Sequence, residues 1–157
     1  MKIRTLNRNE RVTRREFKFA SEFILSLLVN KRTQKKLDIT IESRDEVFGE
    51  DVLAQIFPDA ISRYKYKVLI YSKMSRKQQL LCLAHEYVHL KQFIFGQLGE
   101  TKDIDGIMYT RWNKKNINES KYTEHHDFPW EVEAYRKEYG LWRQYDNYIR
   151  DNKIQYR

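Results

Sequence analysis

With a single cysteine, Cys82, in 157 residues, the chain can form no internal disulfide, which excludes the disulfide-stapled secreted scaffolds. Proline and glycine are scarce as well, two and five in number, which excludes collagen-like and linker-like chains and makes each breaker informative. No apolar run approaches the roughly 20 residues of a membrane-spanning helix; the most apolar stretch, Phe23 to Val29, is far shorter. The opening stretch, residues 1–17, has no apolar core of the kind an export signal needs, so the expectation is a cytoplasmic protein without a membrane partner. What is present is 41% hydrophobic and 14% aromatic residues, enough to build a core, in a length that fits one domain over residues 1–157. The formal net charge is +8. Basic residues run from Lys2 to Arg157 with Asp and Glu among them, so a solvated surface is the first expectation and nucleic-acid association a second.

After a charged leader, Phe17, Ala20, Phe23, Ile24, Leu27 and Leu28 recur at helical spacing and predict a helix over about 14–31. Leu37, Ile39 and Ile41 alternate with polar residues as in a half-buried strand. Residues 47–57 read as short and irregular, between Gly49 and Pro58. The aromatic and β-branched run at 65–72 predicts a second strand. Ser75 then caps a Leu-rich helix over 76–98. Residues 100–129 turn polar, an excursion in which Ile107, Tyr109 and Trp112 suit a hairpin. Pro129 opens a last helix to about Arg150. The expected class is α+β, helices enclosing a small sheet.

Residues 85–89 read His-Glu-Tyr-Val-His inside the Leu-rich helix. Four residues along a helix advance about 6 Å and turn about 40°, so His85 and His89 share one face and can converge on one ion. Glu86, about 100° away, is placed to reach a water beside that ion and is the general-base candidate. Chance gives this motif in about one shuffled chain in a hundred. Its apolar flanks, Leu80, Leu81, Leu83, Ala84, Tyr87 and Val88, would also bury unpaired His and Glu at a cost. Metal binding, with Zn2+ the expected ion, is therefore the reading.

A catalytic zinc takes a third protein ligand and keeps one position open. Cys82 lies about 10 Å of helical rise from His89 and reads as a small buried residue. His125 and His126 stand in the polar excursion, where such groups more often face solvent or substrate, although either could ligate. In PWEVEAY, Glu131 shares a stripe with Tyr135, Glu138, Trp142, Tyr145 and Ile149 and points inward, whereas Glu133 pairs with Lys137 at the surface. A buried carboxylate needs a cation, which favours Glu131.

The order of these elements resembles the gluzincin branch of zinc metallopeptidases, in which a second helix carries a glutamate ligand. HEYVHLKQ followed by PWEVEAYRKEYGL is similar, more closely, to small phage and bacterial metallopeptidase-like proteins with a minimal zincin core, over about residues 80–141. The resemblance implies an N-terminal helix on a small mixed sheet whose edge strand binds an extended substrate, with residues 65–72 the candidate edge. Thermolysin-like members carry an Asp four residues after the glutamate ligand, where this chain has Tyr135. Asp127, Tyr135 or a backbone carbonyl would have to support the ligating histidine instead. The oxyanion stabiliser is open among His125, His126, Tyr109 and Tyr122. The function expected is hydrolysis of a peptide bond in a protein or peptide substrate, with a zinc-stabilised, catalytically weak binding module as the alternative.

Overall fold

The computed structural model describes residues 1–7, 9–49 and 52–156. In chain order its elements are β1 (Lys2–Leu6), α1 (Arg14–Leu28), α2 (Lys31–Lys36), β2 (Asp38–Arg44), β3 (Ala54–Pro58), β4 (Lys65–Tyr71), α3 (Arg76–Ile94), β5 (Leu98–Lys102), β6 (Met108–Trp112), β7 (Lys115–Asn116) and α4 (Pro129–Asp151). Two turns of 3-10 helix, Glu119–Lys121 and His125–Asp127, precede α4. The fold is α+β. No helix among the described residues is long and apolar enough to cross a membrane.

The main sheet has the order β1-β2-β4-β3, with β1, β2 and β4 parallel and β3 antiparallel to β4. Alternation turns Ile39, Ile41, Val68, Ile70 and Ile56 toward one face, where they join the core beneath the helices. α3 packs on β3 and β4 while α1 packs on β1 beside it, and α3 and α1 both contact α4. α3 is buried nearly all round, at Leu80, Leu83, Ala84, Tyr87, Val88 and Leu90 among others, as a central helix must be. Ser75 and Gln78 form a reciprocal capping box at its start. The buried carboxylate of Glu16 on α1 accepts from Arg76 Nε on α3 at 2.8 Å, and the Tyr145 hydroxyl of α4 lies 3.4 Å from the same oxygen. One ion pair thus joins all three helices.

Several expectations are corrected. The charged leader contains β1, which pairs with β2 despite Lys2 and Arg4. The first helix stops at Leu28, and α2, capped by Asn30, follows separately. The irregular stretch ends in β3. Most consequential for function, residues 65–71 are an interior strand and β3 is the sheet's edge, because β3 folds back antiparallel onto β4 and takes its free side. The polar excursion holds the expected hairpin, extended by β7 into a second, three-stranded sheet.

Candidate metal centre

α3 and α4 pack along one another and bring three side chains together. His85 and His89 sit one turn apart on α3, and Glu131 stands in the first turn of α4, immediately after Pro129 and Trp130. His85 Nε2 lies 3.1 Å from His89 Nε2 and 3.1 Å from Glu131 Oε2, and His89 Nε2 lies 3.3 Å from Glu131 Oε1. His85, His89 and Glu131 could hold a metal ion, their ligand atoms all falling within 4.8 Å of one another. Glu131 is buried, as its inward stripe predicts.

The far side of each imidazole is occupied. His85 Nδ1 meets Glu138 Oε2 at 2.8 Å, and His89 Nδ1 meets Gln92 Oε1 at 2.8 Å. The Gln92 amide nitrogen already donates to the Trp130 carbonyl at 3.0 Å and to Glu133 Oε2 at 3.1 Å. Its carbonyl oxygen therefore faces His89 and accepts a hydrogen bond from Nδ1–H. Glu138 accepts from His85 in the same way. Both histidines are thereby assigned the tautomer whose Nε2 carries a lone pair. Two lone pairs 3.1 Å apart beside a carboxylate repel unless a cation or a proton lies among them. Ligand bonds of about 2.0–2.1 Å in a tetrahedral site set ligand edges of about 3.3–3.4 Å; the edge between the two imidazoles is 3.1 Å, and each imidazole faces its own Glu131 oxygen, His85 facing Oε2 at 3.1 Å and His89 facing Oε1 at 3.3 Å. The donor set could hold a metal ion.

The charges of the metal-free site agree. Burial opposes protonation of His85, yet hydrogen bonds to Glu131 and Glu138 outweigh it and hold the imidazole up at about 9. Glu131 is held well below the usual carboxylate range, the two histidines overcoming the effect of its burial. A metal ion bound by these side chains would compete with the His85 proton. Glu86, 6% exposed, is pushed up by burial, against the pull of His89 and His85 and of a hydrogen bond from the Ile56 backbone amide.

A cleft of about 530 Å³ opens onto this group. β3 forms one wall with Ala54 and Ile56, and Trp130, Tyr135 and His125 stand on the other side. The bonds from Tyr71 N to Leu53 O and from Asp59 N to Lys65 O turn residues 53 and 59 toward β4. By the two-residue alternation of a strand, Ala54 and Ile56 then aim their backbone groups outward along the free edge.

Other expectations sort themselves around the centre. Cys82 lines the cleft, half-buried, with its thiol pushed up to about 12 by burial, and is not among the ligand group. His125 Nε2 lies 3.2 Å from Glu131 Oε1 while remaining 75% exposed. His126 turns to Asp127 at 3.7 Å, Tyr122 packs on Phe128, and Tyr109 bonds toward Asp103. Of the four oxyanion candidates, His125 is the one that lines the cleft. Tyr135 is half exposed, its ring 4.7 Å from that of His85. The buried track of α4 instead runs Glu131, Ala134, Leu141, Tyr145 and Ile149, because α3 packs a little to one side of the stripe drawn from sequence. Tyr135 and Asp127 therefore do not hold the ligands' outer nitrogens. Glu138 and Gln92 do, and neither was assigned that role from sequence, although Glu138 lies two turns beyond Glu131 and Gln92 one turn beyond His89. Glu133 makes the expected pair with Lys137 and also binds Lys91 and Gln92. These partners outweigh its burial and hold it at about 2.

Comparison of the chain with protein-family models, with curated proteins and with solved structures finds no match, and the functional reading stands on this geometry.

Proposed function

We propose that this chain is a zinc metallopeptidase of the gluzincin type, with His85, His89 and Glu131 as the ligands and Glu86 as general base. One observation supports the reading above the others: the three-ligand group and a buried carboxylate share a cleft whose wall is an unpaired strand edge. A ligand group that merely tied α3 to α4 would need no such wall. Two imidazoles, one carboxylate and an open side favour zinc over calcium, which takes 6–8 oxygens at longer distances.

Zinc bound there supplies Lewis acidity, polarising a carbonyl and lowering the pKa of water to about 7. The protein supplies the rest. An extended peptide lies along β3, its backbone bonded to the outward N–H and C=O of Ala54 and to the Ile56 carbonyl, the Ile56 amide being engaged by Glu86, which carries one peptide bond past Glu86. Glu86 takes a proton from the attacking water and delivers it to the departing amide nitrogen. A carboxyl raised by burial suits both halves of that transfer near neutral pH. His125, exposed at the cleft mouth, donates to the carbonyl oxygen as negative charge develops there.

Glu86→Gln tests the mechanism. Zinc stoichiometry should remain at one per chain while cleavage of an identified peptide falls at least about a thousandfold, roughly 4 kcal/mol of lost transition-state stabilisation. Undiminished turnover would rule out Glu86 as the base. If zinc stays bound and no peptide is cleaved by the parent chain either, the alternative of a zinc-stabilised binding module takes precedence.

A further inference from the structure

The net charge of +8 is not spread over the molecule. Residues 1–36 contain eleven Lys and Arg against three Asp and Glu, whereas residues 37–157 contain nineteen of each. The whole excess therefore belongs to β1, α1, α2 and their connections. These elements form the flank opposite the cleft, since β1 is the edge of the sheet farthest from β3 and α1 packs against β1.

The few acidic groups there do little to offset it. Glu16 is turned inward onto Arg76, which leaves Glu10 and Glu22. Lys2, Arg11, Arg14, Arg15, Lys18 and all four basic residues of α2, Lys31, Arg32, Lys35 and Lys36, are exposed. Among the described residues none of these nine lies within ion-pair distance of a carboxylate; on this flank Arg4 does, with Asp38. Beyond residue 36 the basic residues are matched in number by carboxylates, and Arg44, Lys65, Lys67, Arg76, Lys91, Lys137 and Arg150 are paired with them. Nine unpaired cations on one side repel each other, and a partner dense in negative charge relieves that repulsion.

We propose that this flank docks on the phosphate backbone of duplex nucleic acid, independently of the metal site and with the cleft facing away. α1 spans about 22 Å, along which a duplex presents about a dozen phosphates at one per 1.7 Å. A membrane surface fits less well. The apolar stripe of α1 is buried in the core, and the exposed large apolar residues of the flank are Leu6 and Leu27, too few to insert into lipid. Single strands fit less well too, because Phe17 is buried and Phe19 and Phe23 pack against Tyr145 and Tyr148, so no aromatic platform is offered to bases.

The test uses the full chain and a fluorescein-labelled, mixed-sequence duplex of about 30 base pairs, read by anisotropy across a salt series. A flank variant carries Arg14→Gln, Lys18→Gln, Lys31→Gln and Lys35→Gln. A control of equal charge carries Lys102→Gln, Lys114→Gln, Lys115→Gln and Lys121→Gln, all exposed and far along the chain. The flank variant should lose about tenfold or more in affinity and flatten the slope of log K against log salt by up to about 3.6, while the control changes neither appreciably. A second flank variant confined to α2, Lys31, Arg32, Lys35 and Lys36 each to Gln, should show the same loss with unchanged circular dichroism. Equal losses in flank and control variants, no binding at micromolar protein in 50 mM salt, or retention on phosphatidylserine vesicles in preference to the duplex would each overturn the proposal.

Discussion

Glu138 carries more of the site than its distance from the motif suggests. Its carboxylate fixes His85 through Nδ1. Two turns beyond Glu131, it stays on the α3 side of α4, while the Tyr135 ring packs edge-on against the imidazole. Glu138→Ala should weaken zinc binding about 10–100-fold, measured by competition with a chromogenic chelator, and should also lower the melting temperature of the chelated protein near pH 6, where its hydrogen bond supports the protonated His85. The two candidate ligands separate by the same assay. Glu131→Gln should lose stoichiometric zinc, whereas Glu133→Gln, acting only through Gln92 on His89, should keep one zinc at reduced affinity. The reverse pattern would exchange the roles of the two glutamates.

Among the elements, β3 and the α1–α3–α4 junction make separate predictions. Ala54→Pro removes an outward N–H from the strand edge and leaves the ladder to β4 intact. It should raise KM for an extended peptide several-fold with little change in melting temperature; an unchanged KM would remove β3 as the substrate edge. At the junction, Arg76→Met leaves the Glu16 carboxylate buried without its cation. The loss should be about 3 kcal/mol in urea unfolding, the low end of the usual range because Arg76 is partly exposed. Adding Glu16→Leu should recover much of it. The sequence made α1, α3, α4 and the group of His85, His89 and Glu131 legible, since each rests on local spacing. It did not distinguish edge from interior, because the alternation of Lys65 and Lys67 with Tyr66 and Val68 reports that one face of a strand is exposed and says nothing of its lateral neighbours. β1 was hidden by Lys2 and Arg4 on an edge strand, and β3 by Gly49 before it and Pro58 at its last position. On α4, steps of three and four from Glu131 reach Ala134 as readily as Tyr135, and only the position of α3 decides between them.

For the whole molecule, the centre is a crosslink between α3 and α4 whose strength depends on pH. Without metal, the hydrogen bonds to Glu131 and Glu138 hold the His85 imidazole up at about 9, above its ordinary value of about 6.5. A group raised on folding contributes stability that is fully present below its unfolded value and is lost as pH rises through the folded one. The metal-free protein should therefore lose stability from about pH 6.5 to 9. Zinc occupies the place of that proton, so its affinity increases over the same interval, and at a thousand times its Kd it adds about 4 kcal/mol to folding. The two trends diverge. Scanning calorimetry with zinc and with chelator should show melting temperatures close together near pH 6 and increasingly separated toward pH 8.5. In His85→Ala, which has neither the ligand nor the proton, the separation should be small and flat across that range. A gap that stays constant with pH in the parent chain would mean that zinc binds without displacing the His85 proton, and that His85 is not a ligand.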